Sequence, residues 1–516
     1  MLGAVVPAHA EEMLKISLSE FEDKVRGAMA GQMAGVTFGD PTEFKWRGEI
    51  VDAELQWTPE MIKDALDQDD VYVEMTFIEV MDKYGLDATI DQFGEAFRDS
   101  RYEVWHTNAA GRRHLFHGRT GGMSGHPKNN IHVNDIDFQI ESDFIGILSP
   151  GMPLSAIELC DRVGHLMSYG DGFYGGVFVA GMYTRAFFEK DAAKVLQAGV
   201  DCLPKGSGYR ACIEDVIATH KKYPDDWKEC WRQINARWDK NESCPEGALE
   251  PFNVSALING AYIAIGMLYG EGDFSKTIEI SLRCGQDSDC NPSSAAGVLG
   301  AMYGYKALDN RYGNGSSERN WIGYLPTFAD EDFFYTKYSF NRFVDSAIKL
   351  TKEAVKRSGG EVRDDMLIIP KRDPVPPKLE QWSMGVPIET INHDDSAWKW
   401  KGEWEVRPKR SYYSPASRIS YEGGNEATLE FNGTAVAIAG MLQQRYGGMV
   451  DIYLDDEIVA RVDAYIPKDT TDKDLWHTYG LEDGPHTVRI VTLDERHPKA
   501  KGSWIRIEYA KVYREE

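Results

Sequence analysis

Asp287 and Asp289 stand one residue apart in the stretch CGQDSDCNPSS, Cys284 to Ser294. Carboxylates that close repel one another unless a cation or water offsets their charge. A second acidic stretch, Asp67-Gln68-Asp69-Asp70, lies far upstream. If the two meet in space, Asp69, Asp70, Asp287 and Asp289 form the hard-oxygen donor set of Mg2+, Mn2+ or Ca2+. The later stretch opens like a calcium-binding EF-hand loop, D-x-D-x-N. That loop also needs Gly at its sixth position and Glu at its twelfth, where this chain has Pro292 and Val298. The EF-hand reading fails. Taken singly, either stretch is more often a helix cap than a site, because carboxylates accept from the free N–H groups of a helix N-terminus and complement its dipole.

Helices must position both stretches. Asn291 is a capping residue and Pro292 suits a first turn, while Ser293-Ser294-Ala295-Ala296-Gly297, then Gly300, Ala301 and Gly304, leave little bulk on the helix that follows. Such a helix can be buried deep in a bundle with the acidic loop at its start. The earlier stretch precedes the helical pattern Val71 to Tyr84.

Apolar residues recur at three-to-four spacing from about Leu18 to Lys356, as in SAIELCDRVGHLM and SAIKLTKEAVKR. IIPKRDPVPPKLEQW then reads as an extended linker. After Ser396 the period becomes two, in TLEFNGTAVAIAG, MVDIYLDDEIVARVD and SWIRIEYAKVY, with turn signals at Gly423-Gly424, Asn432-Gly433 and Asp483-Gly484. The expected organisation is a large all-α domain over 18–365, a proline-rich linker over 366–395 and a small all-β jelly-roll sandwich over 396–516. Residues 1–17 carry Ala8-His9-Ala10, of the form a signal peptidase cuts, and read as the remnant of an export signal. That places the protein in the periplasm or outside the cell, and otherwise in the cytoplasm.

The net charge of -25 over 516 residues repels nucleic acid and anionic membrane surfaces. No apolar run approaches the roughly 20 residues needed to span a bilayer, so no membrane insertion is expected. Seven cysteines form no C-x-x-C pair and do not settle the redox compartment. Phosphate-loop, dinucleotide-binding and serine-nucleophile motifs are lacking, which disfavours NTPases, dehydrogenases and serine hydrolases.

Gly27-Ala28-Met29-Ala30-Gly31-Gln32, Pro41-Thr42-Glu43-Phe44, Gln68-Asp69-Asp70 and Gly285-Gln286-Asp287-Ser288-Asp289-Cys290-Asn291, in that order and spacing, resemble the ADP-ribosylglycohydrolase family. Between them, Trp105-His106-Thr107-Asn108, Ser124-Gly125-His126-Pro127, Asn129-Asn130, Asp135-Ile136-Asp137, Pro150-Gly151 and Tyr169-Gly170-Asp171-Gly172 look like a bacterial branch of it. The resemblance implies an all-helical fold with a central cleft holding divalent cations. One or two ions are implied, Mg2+ before Ca2+ or Mn2+, gripping ribose hydroxyls and the attacking water. Carried over by position, Asp69, Asp70, Asp287 and Asp289 become metal ligands, with Gln68 offering a carbonyl oxygen. Glu43 stands where relatives use a glutamate at the reacting centre, and Asp70 shares the catalytic role. Where relatives usually carry threonines, this chain has Gln68, Val71 and Cys290. The implied activity is metal-dependent hydrolysis of a glycosidic bond in a sugar-containing substrate. A glycan or glycoside fits the β domain and the export remnant, an ADP-ribosyl acceptor fits the family name, and a non-catalytic sugar-binding protein is the reading from another class.

The residues expected to contact substrate are Asn108, His126, Asn130, Asp137, Tyr169, Gly170, Asp171, Gly172, Tyr174 and Asn259. His126 lies in the polar loop SGHPKNN, whereas His165 sits within a helical pattern and reads as packing; His106 accompanies them in the middle block. Tyr169 to Tyr174 could face a sugar, with glycines permitting close backbone approach, or be a packed loop. Asn259-Gly260 reads equally as a site loop or a turn. The β domain loosely resembles galactose-binding-like jelly rolls attached to secreted carbohydrate enzymes, and its stacking candidates are Tyr412, Tyr413, Tyr446, Trp476 and Trp504.

Overall fold

A computed structural model of the chain describes residues 12–239, 243–251, 254–309, 319–410, 415–468 and 473–515. Helices fill the first part, up to the helix Phe340–Arg357, and the strands from Glu361–Arg363 onward form sheets. Ala8-His9-Ala10, Tyr412 and Tyr413 lie outside the described residues. No helix among the described residues is long and apolar enough to cross a membrane.

Two helices form the spine of the helical part, Leu18–Gly39 and Cys290–Tyr303, and nearly every residue of the second is buried. Their approach is set by a glycine every fourth residue, which falls on one helix face. A β-carbon built on Gly27 would meet Gly300 O at 2.5 Å, on Gly31 the carbonyl carbon of Ala296 at 2.8 Å, and on Gly35 that of Pro292 at 2.5 Å. On Gly39 it would meet Asp289 N at 2.7 Å. The two backbones therefore touch along the whole stripe, and the acidic loop rests on the C-terminal end of the first helix.

The β part has two antiparallel sheets. One runs in the order Glu457–Asp463, Gly448–Leu454, Gly484–Arg496, Glu426–Gly433 and Trp398–Lys401. The other runs Asp474–Thr478, Ala435–Gly440, Ile505–Arg514, Ser417–Ser420 and Glu405–Arg407. Alternate residues of both meet in one core that includes Leu429, Ile438, Ile452, Ile490 and Ile507.

The sequence divisions at 17 and 366–395 meet structure that local pattern does not signal. Met13–Ser17 pairs with Met366–Pro370 in a three-stranded sheet, and Val386–Asn392 pairs with Ile505–Arg514. Strands this short carry too few alternations to register as a period. Between them, residues 371–385 run without a ladder but are held against the helical part. Tyr174 OH donates to Lys378 O at 3.1 Å, Gly170 N donates to Glu380 Oε2 at 2.9 Å, and His165 Nε2 stands 3.0 Å from Glu380 Oε1.

His165 therefore clamps this segment rather than simply packing in a helix. Burial opposes its charged form, but Asp161 and Glu380 outweigh that and raise its pKa to about 10. A raised pKa means stabilisation that is complete below the unfolded value and disappears as pH rises through about 10. Glu380→Gln is accordingly expected to melt several degrees lower than the parent at pH 7. The gap should close as pH is taken past 10, and a gap unchanged across that range would show that the charge pair contributes nothing.

Buried polar contacts dock the β part on the helical part. Arg113 Nη1 donates to Asp474 O at 2.6 Å, His477 Nε2 lies 2.6 Å from Pro127 O, and Tyr513 OH donates to Ser243 O at 2.8 Å. Trp476, a stacking candidate in the stretch DLWHTYG, falls in the strand Asp474–Thr478, half-buried against the β core, and His477 beside it is buried. The polar residues of this stretch look loop-like in sequence because their partners, Arg113 and Pro127, belong to the other part. Trp504 is half-buried too, stacked on Tyr446 with ring centroids 3.9 Å apart.

Candidate metal-binding active site

Three helix ends deliver the acidic residues. Beyond Gly39 the chain makes the short turn Asp40–Thr42 and presents Glu43. Asp69 and Asp70 open the helix Asp69–Tyr84, and Asp287 to Asp289 lead into Cys290–Tyr303. The first and third ends are tied by Thr42 Oγ1 and Ser288 Oγ, 2.8 Å apart. Asn259 braces the acidic loop from the buried helix Ala256–Gly270: its Oδ1 accepts from Asp287 N at 3.3 Å and from Asn291 Nδ2 at 2.8 Å. Phe44 and Gln286 both hold φ of 59°, in the left-handed region that side chains resist. Such strain persists only where surrounding structure enforces it, and here it flanks the acids on both sides.

Glu43, Asp287 and Asp289 each bring a carboxylate oxygen within 4.8 Å of the others, and Asp70, Asp289 and Cys290 do the same with carboxylate oxygen and sulphur. Asp289 joins the two groups. The Oδ1 atoms of Asp70, Asp287 and Asp289 are all buried without a hydrogen-bond partner. Burial first, then the neighbouring carboxylates, pushes Glu43 up to about 10 and Asp289 up to about 7. Asp70 and Asp287 are raised for the same reasons, above all by burial and by Asp289. A buried acceptor without a donor is costly. Three such oxygens, on acids that gather about Asp289, fit a hard divalent cation, which would satisfy them and cancel their repulsion.

Not every implied ligand stands alike. Asp69 is partly buried and outside both three-residue groups; its Oδ1 accepts from Asp70 N at 3.2 Å, a capping geometry, while its charge raises the pKa values of Glu43, Asp70 and Asp289. Gln68 turns its amide nitrogen to Asp40 Oδ1 at 2.9 Å. Val71 is core, and Cys290 donates its thiol to Asp70 Oδ2 at 3.3 Å.

The middle block divides. Asp137 is buried near Asp69 and His106; burial raises its pKa to about 7, and its Oδ1 accepts from Asn108 N at 3.3 Å. Asn108 also donates to Glu141 and keeps a buried, unpartnered Oδ1. Asn130 instead spends its amide on Thr107 O and Met167 O, at 3.1 and 2.9 Å, and its Oδ1 on His132 N, so it is a buried fastener. Gly170 and Tyr174 are covered by residues 378–380, and Asp171 accepts from Tyr209 N at 3.0 Å. A β-carbon on Gly172 would meet Asn134 Cα at 3.0 Å. Gly170 and Tyr174 thus hold the covering segment, while Asp171 and Gly172 are engaged in packing against Tyr209 and Asn134. Tyr169 is half-buried against half-buried His126, ring centroids 5.4 Å apart.

Two groups escaped the sequence reading. Behind Asp70, Glu74 and Asp143 are fully buried; Glu74 Oε1 accepts from Phe144 N at 3.1 Å and Asp143 Oδ1 from Tyr183 OH at 2.5 Å. Glu74 lies one helical turn from Asp70 within the apolar run VYVEMTF, and that spacing was its signal. The second group joins the near neighbours His132 and Asp135 to His106 at a helix start and to Cys244, and only the first pair is close in sequence.

The family model described as ADP-ribosylglycohydrolase matches residues 17–337. A protein of Flavonifractor plautii described as an A type blood alpha-D-galactosamine galactosaminidase is 33% identical over 90 residues, 17% of this chain. The chain aligns with only 8% of that relative's length. Among solved structures, an ADP-ribosylglycohydrolase-related protein complex is 14% identical with a TM-score of 0.40, covering 64% of this chain and 98% of its own. A family 35 carbohydrate binding module from Clostridium thermocellum is 13% identical with a TM-score of 0.19, covering 24% of this chain and 97% of its own.

Proposed function

Because this chain belongs to the ADP-ribosylglycohydrolase family, we propose that it is a metal-dependent hydrolase of a glycosidic bond, with a glycan or glycoside as substrate. The observation that carries this reading is the convergence of Glu43, Asp70 and Asp287 on Asp289, with three buried carboxylate oxygens left without donors.

Asp70, Asp287 and Asp289 would hold the cation, with Asp69 and Gln68 beside them. When bound, it supplies positive charge that offsets the carboxylates and orients sugar hydroxyls and water. Asn259 keeps Asp287 in place. Glu43 takes the proton from the attacking water at its carboxylate; it is charged for that task only when a bound cation offsets the neighbouring acids that, after burial, raise its pKa to about 10. The acids that remain charged face the anomeric carbon and favour an oxocarbenium-like transition state. Asn108 and Asp137, on the wall beside Asp69, offer hydrogen bonds to sugar hydroxyls. The galactosaminidase likeness supports a sugar substrate and leaves the sugar open.

Incubation with a panel of furanosides, pyranosides and ADP-ribosyl compounds, with and without EDTA, tests the reading. Turnover of a glycoside that EDTA abolishes and Mg2+ restores is the expected result. Turnover of ADP-ribosyl compounds alone would move the substrate to that class. Sugar binding without turnover of anything would make this a sugar-binding protein and end the mechanism.

A further inference from the structure

We propose that His106, His132, Asp135 and Cys244 form a second metal site, of the zinc class, distinct from the acidic cleft. One ligand atom from each of the four lies within 4.8 Å of all the others. The Nδ1 atoms of both imidazoles stand 3.2 Å from a single oxygen, Asp135 Oδ2, and His132 Nδ1 stands 3.2 Å from Cys244 Sγ. The two rings sit 5.8 Å apart at 77°, as neighbouring ligands of one small ion would. With metal–nitrogen and metal–oxygen bonds of about 2.1 Å, the edge of a tetrahedron is about 3.4 Å, and about 3.6 Å where one end is sulphur. The three separations above, each 3.2 Å, fall a few tenths of an ångström inside those edges, and the others are within 4.8 Å.

Donor chemistry selects the ion. Two imidazoles, a thiolate and one carboxylate suit Zn2+ and poorly suit Mg2+ or Ca2+, which prefer the all-oxygen cleft. His132, Asp135 and Cys244 are buried and His106 is half-buried. Four protein ligands leave no open position, so the site is of the closed, structural type.

Its place in the fold gives such an ion a task. His106 opens the helix His106–Phe116 with φ of 39°, and a ligand bond is one way a strained residue is held. Cys244 packs with Ile136, Ile140 and Cys290, and Cys290 touches Asp70. The same loop is gripped from the β part, where Tyr513 OH donates to Ser243 O at 2.8 Å and Lys511 Nζ to Ala248 O at 2.6 Å. An ion on Cys244 would pin this loop to the helical part from the other side. It would act as a clamp between the helical part and the β part.

The full-length protein, stripped with chelator and loaded with Co2+, reports the site by absorption. The expected spectrum has a thiolate-to-cobalt charge-transfer band and the strong visible bands of a tetrahedral ion, both displaced by about one zinc per chain. Cys244→Ser should abolish the charge-transfer band. Asp287→Asn, which alters only the cleft, should keep it. Should Cys244→Ser fail to fold, the wild-type spectrum still decides. Cobalt bound only with the weak bands of an octahedral oxygen site, or a thiolate band that survives Cys244→Ser, would overturn the proposal.

Discussion

Asp287→Asn is expected to lower turnover about 100- to 1,000-fold, a loss comparable to removing one preorganised transition-state stabiliser, while leaving the fold intact. Asp287 Oδ1 is buried without a donor, and burial with Asp289, Glu43 and Asp70 raises its pKa. Its side chain therefore strains the metal-free protein, and an uncharged amide relieves that strain. In EDTA the variant should melt at or above the parent. Added Mg2+ should raise the parent by the linkage of a ligand that binds only the folded state, about 2.7 kcal/mol at a hundred times its dissociation constant. The variant should gain little. Thermal melts and rates measured on the same samples separate the outcomes: an unchanged rate removes Asp287 from the site, and a variant that melts far below the parent in EDTA assigns it to capping.

The acidic residues were legible because they sit at helix starts, where local pattern and local chemistry coincide. The change of period after Ser396 likewise marked the β part. What sequence could not show was contact between distant segments. Gly170 and Tyr174 belong to a motif that reads equally as a ligand loop or a packed one; Lys378 and Glu380 occupy them, and a proline-rich stretch carries no signal for where it comes to rest. Asp474 and His477 sit in a polar stretch whose partners, Arg113 and Pro127, arrive only from the helical part. Cys244 looks like one thiol among seven, and only the fold brings it to His132 and Asp135. Each mismatch is a buried polar group whose partner is remote in sequence, and such pairs leave no periodic trace.

The glycine stripe is the exception, a long-range contact with a short-range mark, and it supports the second large effect. Gly35→Ala is expected to destabilise the protein by about 3 kcal/mol, at the upper end for overpacking, although alanine ordinarily improves a helix interior by up to about 1 kcal/mol over glycine. The added carbon would meet the carbonyl carbon of Pro292 at 2.5 Å and Ser293 Cα at 2.7 Å. Both are backbone atoms, so no side chain can rotate away and the two helices must part. The helix that moves carries Asp287 and Asp289 at its start, so cation binding should weaken together with stability. Gly122→Ala is the control: it also lies in a helix, and its added carbon would meet nothing nearer than Ile90 Cδ1 at 3.9 Å. Urea unfolding of the two variants, each with and without Mg2+, makes the comparison. A Gly35→Ala midpoint equal to that of Gly122→Ala would mean that the helices do not touch backbone to backbone, and the placement of the acidic loop against Gly39 would fall with it.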